Sequence, residues 1–131
     1  MATLSNPTFE IDLLTGMPGD AVVTGTVYVD LEPLDTFLIG GGLSLELQAS
    51  IWGEDGGLNG TDEQLFLFPS QNITAEGTYT FTTTVSRGIL NEDSSIFDQT
   101  DEVYSHFNLV SKNNIFPLNT STSSPFIDGK F

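Results

Sequence analysis

The sequence alternates apolar and polar residues with a period of two. Residues 43–51 place Leu, Leu, Leu, Ala and Ile at every second position, with Ser, Glu, Gln and Ser between them. Successive side chains of a strand point to opposite faces, so this segment predicts a strand with one buried and one wet face. Residues 77–85 repeat the pattern with Thr along the polar side, and β-branched residues favour a strand over a helix.

Shorter versions of the pattern predict further strands at residues 9–13, 23–31 and 103–109, and a last short strand is expected at residues 126–131. Residues 65–68 are a continuous apolar run, which is consistent with a short strand buried on both sides or with an edge folded under a loop. Gly25 interrupts one of them and predicts a bulge or a close approach of backbone. Turn-rich segments lie between the strands, among them residues 33–42, 69–77 and 112–125, and no helix of convincing length is expected. Six to eight short strands predict one all-β domain over residues 1–131, an antiparallel β-sandwich. A small β-barrel is the alternative, because periodicity does not distinguish two packed sheets from a closed one.

The charge of the chain excludes several classes of partner. The 131 residues include 18 acidic side chains, three basic ones and one His, which gives a net charge of −15. Nucleic acid is excluded because so few cations are available to meet phosphates, and membrane insertion because no apolar stretch approaches about 20 residues.

The absence of Cys removes disulfides and thiolate zinc sites. No signal peptide is recognisable, so we expect a cytoplasmic protein, with secretion left open.

Ten of the acidic residues fall in three predicted loops, at residues 15–20, 53–63 and 87–102. If successive strands reverse direction, these loops share one end of the sandwich. Calcium takes six to eight oxygen ligands from carboxylates, Asn side chains and backbone carbonyls. We therefore predict a calcium site with ligands among Glu54, Asp55, Asn59, Asp62, Glu63, Asp93, Asp98 and Asp101. The alternative is a solvated acidic rim that binds no specific ion.

The two longer acidic loops carry the one resemblance to a known family. Two acidic loops at one end of a sandwich resemble the loop-end calcium sites of C2 domains. The resemblance covers only residues 52–63 and 91–102, whose spacing departs from that family's pattern. Neither segment has the spacing of an EF-hand loop. The resemblance implies calcium binding by these loops and nothing about the rest of the chain.

Aromatic residues lie on the polar side of two predicted strands. The alternation from residue 43 places Trp52 on the wet face at the mouth of an acidic loop, and Tyr104 and His106 also point outward. An exposed Trp beside carboxylates suits the stacking of a sugar ring. The alternative for Trp52 is that it caps the core or lies under the loop. Ser105 is expected on the face opposite His106, and no nucleophile-elbow motif is present, so no catalytic residue is predicted.

These observations favour a non-enzymatic binding or interaction module with calcium at its acidic loop end. One alternative is a carbohydrate-binding module or lectin that uses Trp52. Another is a structural or assembly protein with a merely acidic surface, in which the apolar residues 37–39 contact another subunit of a homo-oligomer. The expected partner is accordingly a protein or a carbohydrate.

Overall fold

The computed structural model describes residues 1–16, 18–54, 63–90, 101–113, 117–129 and 131; at Glu54 and Asp101 it describes the backbone only. Within these ranges the chain forms nine strands and two helices: β1 Thr3–Leu13, β2 Asp20–Asp30, α1 Pro33–Gly40, β3 Leu45–Glu54, β4 Glu63–Leu67, β5 Gln71–Ile73, β6 Gly77–Ser86, α2 Arg87–Leu90, β7 Asp101–Ser111, β8 Asn119–Ser123 and β9 Ile127–Gly129. The described strands form two antiparallel sheets, which confirms the predicted all-β sandwich.

The first sheet has the order β1–β2–β6, with β2 in the centre. The apolar side of β2 is completely buried at Val23, Val27 and Val29, and Phe81 of β6 lies beside them. Their polar neighbours along the strands are half-buried or exposed. The alternation read from the sequence therefore sets which face of this sheet meets the core.

The second sheet has the order β4–β3–β7–β8, with β5 also pairing to β3 and β9 to β7. β4 and β5 therefore form one interrupted edge strand beside β3, and β8 and β9 form another beside β7. Pro69 and Pro125 lie in the two interruptions. Proline has no N–H to donate and cannot continue a ladder of hydrogen bonds. The residue before each proline still binds the central strands: Phe68 N donates to Ala49 O of β3 at 3.0 Å, and Ser124 N donates to Ser105 O of β7 at 2.9 Å.

Gly25 of β2 faces β7 across the interface between the two sheets. A Cβ atom on Gly25 would lie 3.1 Å from Phe107 Cζ and 3.4 Å from Ser105 Cβ. The close approach predicted for this glycine is confirmed. Ser105, which is 1% exposed, also joins the sheets, because its hydroxyl donates to Thr8 O at 3.0 Å.

The prediction of a turn-rich segment without a helix at residues 33–42 is wrong, because α1 occupies most of it. Pro33 stands in the first turn, where its missing N–H costs nothing and its fixed φ suits a helix. The Asp35 carboxylate accepts a hydrogen bond from Glu32 N at 2.8 Å, as in a capping box. The helix leaves Leu34 and Phe37 exposed, so the apolar residues of this segment do not follow the spacing of an amphipathic helix.

The prediction of a turn-rich segment at residues 112–125 is also wrong over β8. Its residues pair in register with β7, from His106 opposite Ser123 to Val110 opposite Asn119. Ser, Thr and Asn are frequent in loops, but alternate side chains of β8 are half-buried. Hydrogen bonding to a central strand therefore outweighs the local turn preference.

Candidate functional site

The outer face of the second sheet carries the three residues predicted to bind a ligand. In the register of β3 with β7, Trp52 lies opposite Tyr104 and Ser50 lies opposite His106. Ile51 and Ser105, their neighbours in sequence, are buried on the other side. Trp52, Tyr104 and His106 therefore share the face turned away from the core, which we call the aromatic face.

Trp52 is half-buried on the aromatic face and held by two contacts. Its indole Nε1 donates to Ser50 Oγ at 2.8 Å. Its ring meets the His106 ring edge to face, with centroids 6.5 Å apart and planes at 78°. The hydrogen bond satisfies the polar edge of the indole, and the ring contact fixes its plane.

His106 is anchored from its other side by the neighbouring strand β8. Its Nδ1 lies 2.8 Å from Ser123 Oγ. Partial burial lowers the pKa of His106 below its ordinary value of 6.5, because the charged form is less well solvated there. The imidazole is therefore neutral at neutral pH, with one nitrogen engaged by Ser123.

Tyr104 lies on the same face but is covered. Its ring packs against Phe126 with centroids 5.3 Å apart, and Tyr104 is 9% exposed while Phe126 is 52% exposed. Sequence reasoning placed Phe126 at the start of a predicted strand, residues 126–131, and did not identify its contact with Tyr104. Its pairing with Tyr104 depends on the interruption at Pro125, for which the alternation gives no signal.

The polar part of the aromatic face contains an unsatisfied acceptor. Asn108 Oδ1 is the buried side-chain oxygen that has no hydrogen-bond partner among the described residues. Asn108 lies opposite Gln48 of β3 and Ser121 of β8, about 7 Å along β7 from His106. A buried polar atom left unpaired costs about 1–3 kcal/mol, and this oxygen is also closed to solvent.

The strand ends that flank the predicted calcium loops meet at one end of the same sheet. Glu63 lies opposite Gly53, and Glu54 lies opposite Glu102, which in turn lies opposite Asp128. Three acidic positions thus stand in one row across β3, β7 and β9. Gly19, which precedes β2, lies beside α2, because Arg87 N donates to Gly19 O at 2.9 Å, and α2 in turn contacts β4 of this sheet.

Most of the predicted calcium ligands lie outside the described residues: Asp55, Asn59, Asp62, Asp93 and Asp98. Glu54 and Asp101 are placed by their backbone, and Glu63 is exposed on β4. Within the described ranges, no group of three or more His, Cys, Asp or Glu side chains is arranged to hold a metal ion. The calcium site therefore stays a prediction.

Arg87, the basic residue within the predicted acidic loop at residues 87–102, contacts backbone in the part of the chain that the structure describes. Its Nε donates to Asp20 O at 2.9 Å and its Nη2 to Leu14 O at 3.1 Å. The guanidinium therefore fastens the loop between β1 and β2 to the start of α2. Its role here is structural, since both acceptors are carbonyl oxygens.

Comparison with known proteins adds little. No protein-family model matches the chain, and no curated protein sequence matches it. A crystal structure of a protein provisionally named ApaA from Bordetella pertussis is 11% identical with a TM-score of 0.40, over 99% of this chain and 93% of that one. At this TM-score the similarity supports no argument about function. Neither of the two described helices has the length and hydrophobicity that crossing a bilayer requires.

Proposed function

We propose that the chain is a non-enzymatic binding module whose ligand, a neutral carbohydrate, lies on the aromatic face. The observation that carries the proposal is the fixed, half-buried Trp52 ring, held by Ser50 and His106 on the solvent side of a sheet. A large aromatic side chain on an outer face normally finds cover. Here the ring is oriented but only partly covered, which is what a stacking surface needs.

The chemistry of the aromatic face suits a sugar. The apolar side of a pyranose ring packs on an aromatic face, and its hydroxyl groups donate to acceptors beside it. Gln48, half-buried on β3 opposite Asn108, supplies polar groups on the same face. The net charge of −15 repels anionic ligands, which favours neutral sugars over acidic or phosphorylated ones.

The geometry around His106 supports binding rather than catalysis. Ser123 and His106 form a Ser–His contact at 2.8 Å, but a working nucleophile also needs a group that orients the base and donors for the developing negative charge. The imidazole also meets the Trp52 ring edge to face, a contact that does not supply such a group. Ser105, the neighbouring hydroxyl, is buried and donates to Thr8 O.

The test is a titration of the chain with a panel of neutral glycans. Trp52 is the one Trp in the sequence, so its fluorescence reports ligand contact directly. Trp52→Ala leaves no Trp in the chain, so its affinity is measured by calorimetry beside that of the wild type. We expect this substitution to weaken binding at least about tenfold, in line with the loss of an aromatic contact residue. Tyr28→Ala, on the outer face of the first sheet, serves as the matched control and should bind normally.

Two results would contradict the proposal. One is a panel in which no neutral glycan changes the fluorescence of Trp52. The other is a glycan that binds equally well to the wild type and to Trp52→Ala, because such a ligand would lie elsewhere. Thermal melts of both variants exclude unfolding as the cause of a loss.

We further propose calcium binding at the acidic loop end, supported by the row of Glu54, Glu102 and Asp128 and by the hard oxygen donors of the loops. An ion that binds only the folded chain stabilises it by about 2.7 kcal/mol at a hundredfold excess over Kd. We expect calcium to raise the melting temperature more than NaCl of equal ionic strength does. Equal shifts would mean that the acids are only screened.

Paired substitutions locate the ions. Asp55→Asn with Asp62→Asn should remove the calcium-specific shift, because each change keeps the shape of the side chain and removes a charge. Glu10→Gln, on the outer face of β1, is the control and should leave the shift unchanged. If the control and the paired change act alike, the overall field attracts the cation and no specific site exists.

A further inference from the structure

We propose that the outer edge of β6 pairs with the same edge of a second copy of this chain. The two first sheets would then join into one continuous sheet across a two-fold axis. The proposal is independent of the aromatic face, which lies on the other sheet. It follows from a comparison of the sheet edges.

Exposed sheet edges offer unpaired backbone groups, and proteins commonly protect them with prolines, bulges or charges. The β1 edge has Pro7 in a register shift between Ser5 and Thr8, next to Asn6 at a φ of 50°. In the second sheet both outer rows are interrupted, at Pro69 and Pro125. These three edges are therefore poor templates for another strand.

The β6 edge lacks these protections. The strand runs for ten residues, Gly77–Ser86, without a proline or a charged residue. Its register with β2 has no shift over its whole length. Within the described residues, β6 pairs with β2 and with no other strand.

The backbone of β6 directs hydrogen-bonding groups to that edge. Thr80 O accepts a hydrogen bond from the Gln71 side chain at 2.9 Å, so this carbonyl points away from β2. In an antiparallel strand, alternate residues direct both backbone groups to the same side. The N–H and C=O groups of Thr78, Thr82 and Thr84 therefore also point to the outer edge.

A second β6 is complementary to this edge. In antiparallel register about Phe81 or Thr82, the edge-facing threonines of one copy lie opposite those of the other. Such Thr–Thr pairs across strands are favourable, and a contact of one strand with itself is a closed two-fold interface. The occupant that the sequence of β6 fits best is thus β6 itself.

Charge also favours this edge for self-association. Two copies, each at −15, repel one another over most of their surfaces. The repulsion is least where an uncharged strand meets its copy. A ten-residue edge is about 34 Å long and gives a small interface, so a weak dimer that tightens with added salt is expected.

Gln71 competes with the partner strand, because its amide occupies Thr80 O. In the dimer a backbone N–H of the second copy would take over that carbonyl. Gln71→Ala should therefore tighten the dimer about threefold or more, since it removes the competing donor. Thr82→Glu should weaken the dimer at least about tenfold, because it places like charges near the two-fold axis.

The experiment is sedimentation equilibrium of the full chain up to about 1 mM, at low and high salt. Thr8→Glu is the matched control, since it makes the same change on the opposite edge of the same sheet, and its dimer should equal that of the wild type. A wild type that is still monomeric at the highest concentration overturns the proposal. A dimer that Thr82→Glu and Thr8→Glu weaken equally, or that Gln71→Ala leaves unchanged, also overturns it.

Discussion

The contact between the two sheets at Gly25 gives a direct test of the packing, through the substitution Gly25→Ala. The added methyl group would lie 3.1 Å from Phe107 Cζ, closer than ordinary van der Waals contact. Phe107 has little room to retreat, because it is fully buried and its ring centroid is 6.1 Å from that of Phe81. The substitution therefore overpacks the centre of the core.

Two opposing contributions set the size of the effect. Overpacking a well-filled core costs about 1–3 kcal/mol, while replacing Gly with Ala restricts the unfolded chain and stabilises by about 0.4–1 kcal/mol. Gly16→Ala provides the control, because a Cβ there would meet nothing within 4 Å. The unfolded-state contribution is common to both variants, so Gly25→Ala should be about 1–3 kcal/mol less stable than Gly16→Ala.

Urea unfolding followed by circular dichroism and by Trp52 fluorescence measures this difference. For a chain of this length, 1 kcal/mol corresponds to a change in melting temperature of about 3–5 °C. The m-value should stay unchanged if only the native packing is affected. A Gly25→Ala variant as stable as Gly16→Ala would refute the close approach of β2 and β7.

Two further measurements test other contacts. Ser105→Ala should lower the free energy of unfolding in urea by about 1–3 kcal/mol, because Thr8 O loses a buried donor, while Ser121→Ala on the exposed side of β8 should change little. Folding lowers the pKa of His106, so near pH 6.5 the unfolded chain binds more protons than the folded chain. The free energy of unfolding should therefore fall as the pH drops through that value. His106→Gln should show a smaller drop between pH 7.5 and 5.5 in parallel melts; an equal drop would assign the dependence to other groups.

The side of each strand that meets the core could be predicted from the sequence, because apolar residues and buried positions both recur at every second residue. Residues 43–51 have their apolar side in the core, and Trp52 lies on the outer face as the pattern requires. Gly25 could be identified because a glycine within a strand has few reasons to be there other than a bulge or a close contact. These inferences depend on neighbours in sequence alone.

The errors arose where contacts between distant segments decided the structure. In α1 two large apolar side chains, Leu34 and Phe37, are exposed, so the segment lacks the helical period of a buried face. β8 is rich in Ser and Thr and becomes a strand because β7 offers it a partner. The unsatisfied Asn108 Oδ1 likewise has no sequence signal, since an Asn on the polar side of a strand is ordinarily solvated.

The central pairing of the second sheet has a consequence for synthesis of the chain on the ribosome. β3 pairs with β7 from Leu45 opposite Ser111 to Glu54 opposite Glu102, so 57 further residues separate the end of β3 from the end of its partner (111 − 54). At about 5–20 residues per second, the apolar face of β3 waits about 3–11 s for β7 to be synthesised. A nascent chain arrested before residue 101 should therefore be readily cleaved by protease and should recruit chaperones, and release of β7 from the exit tunnel should mark the onset of protection.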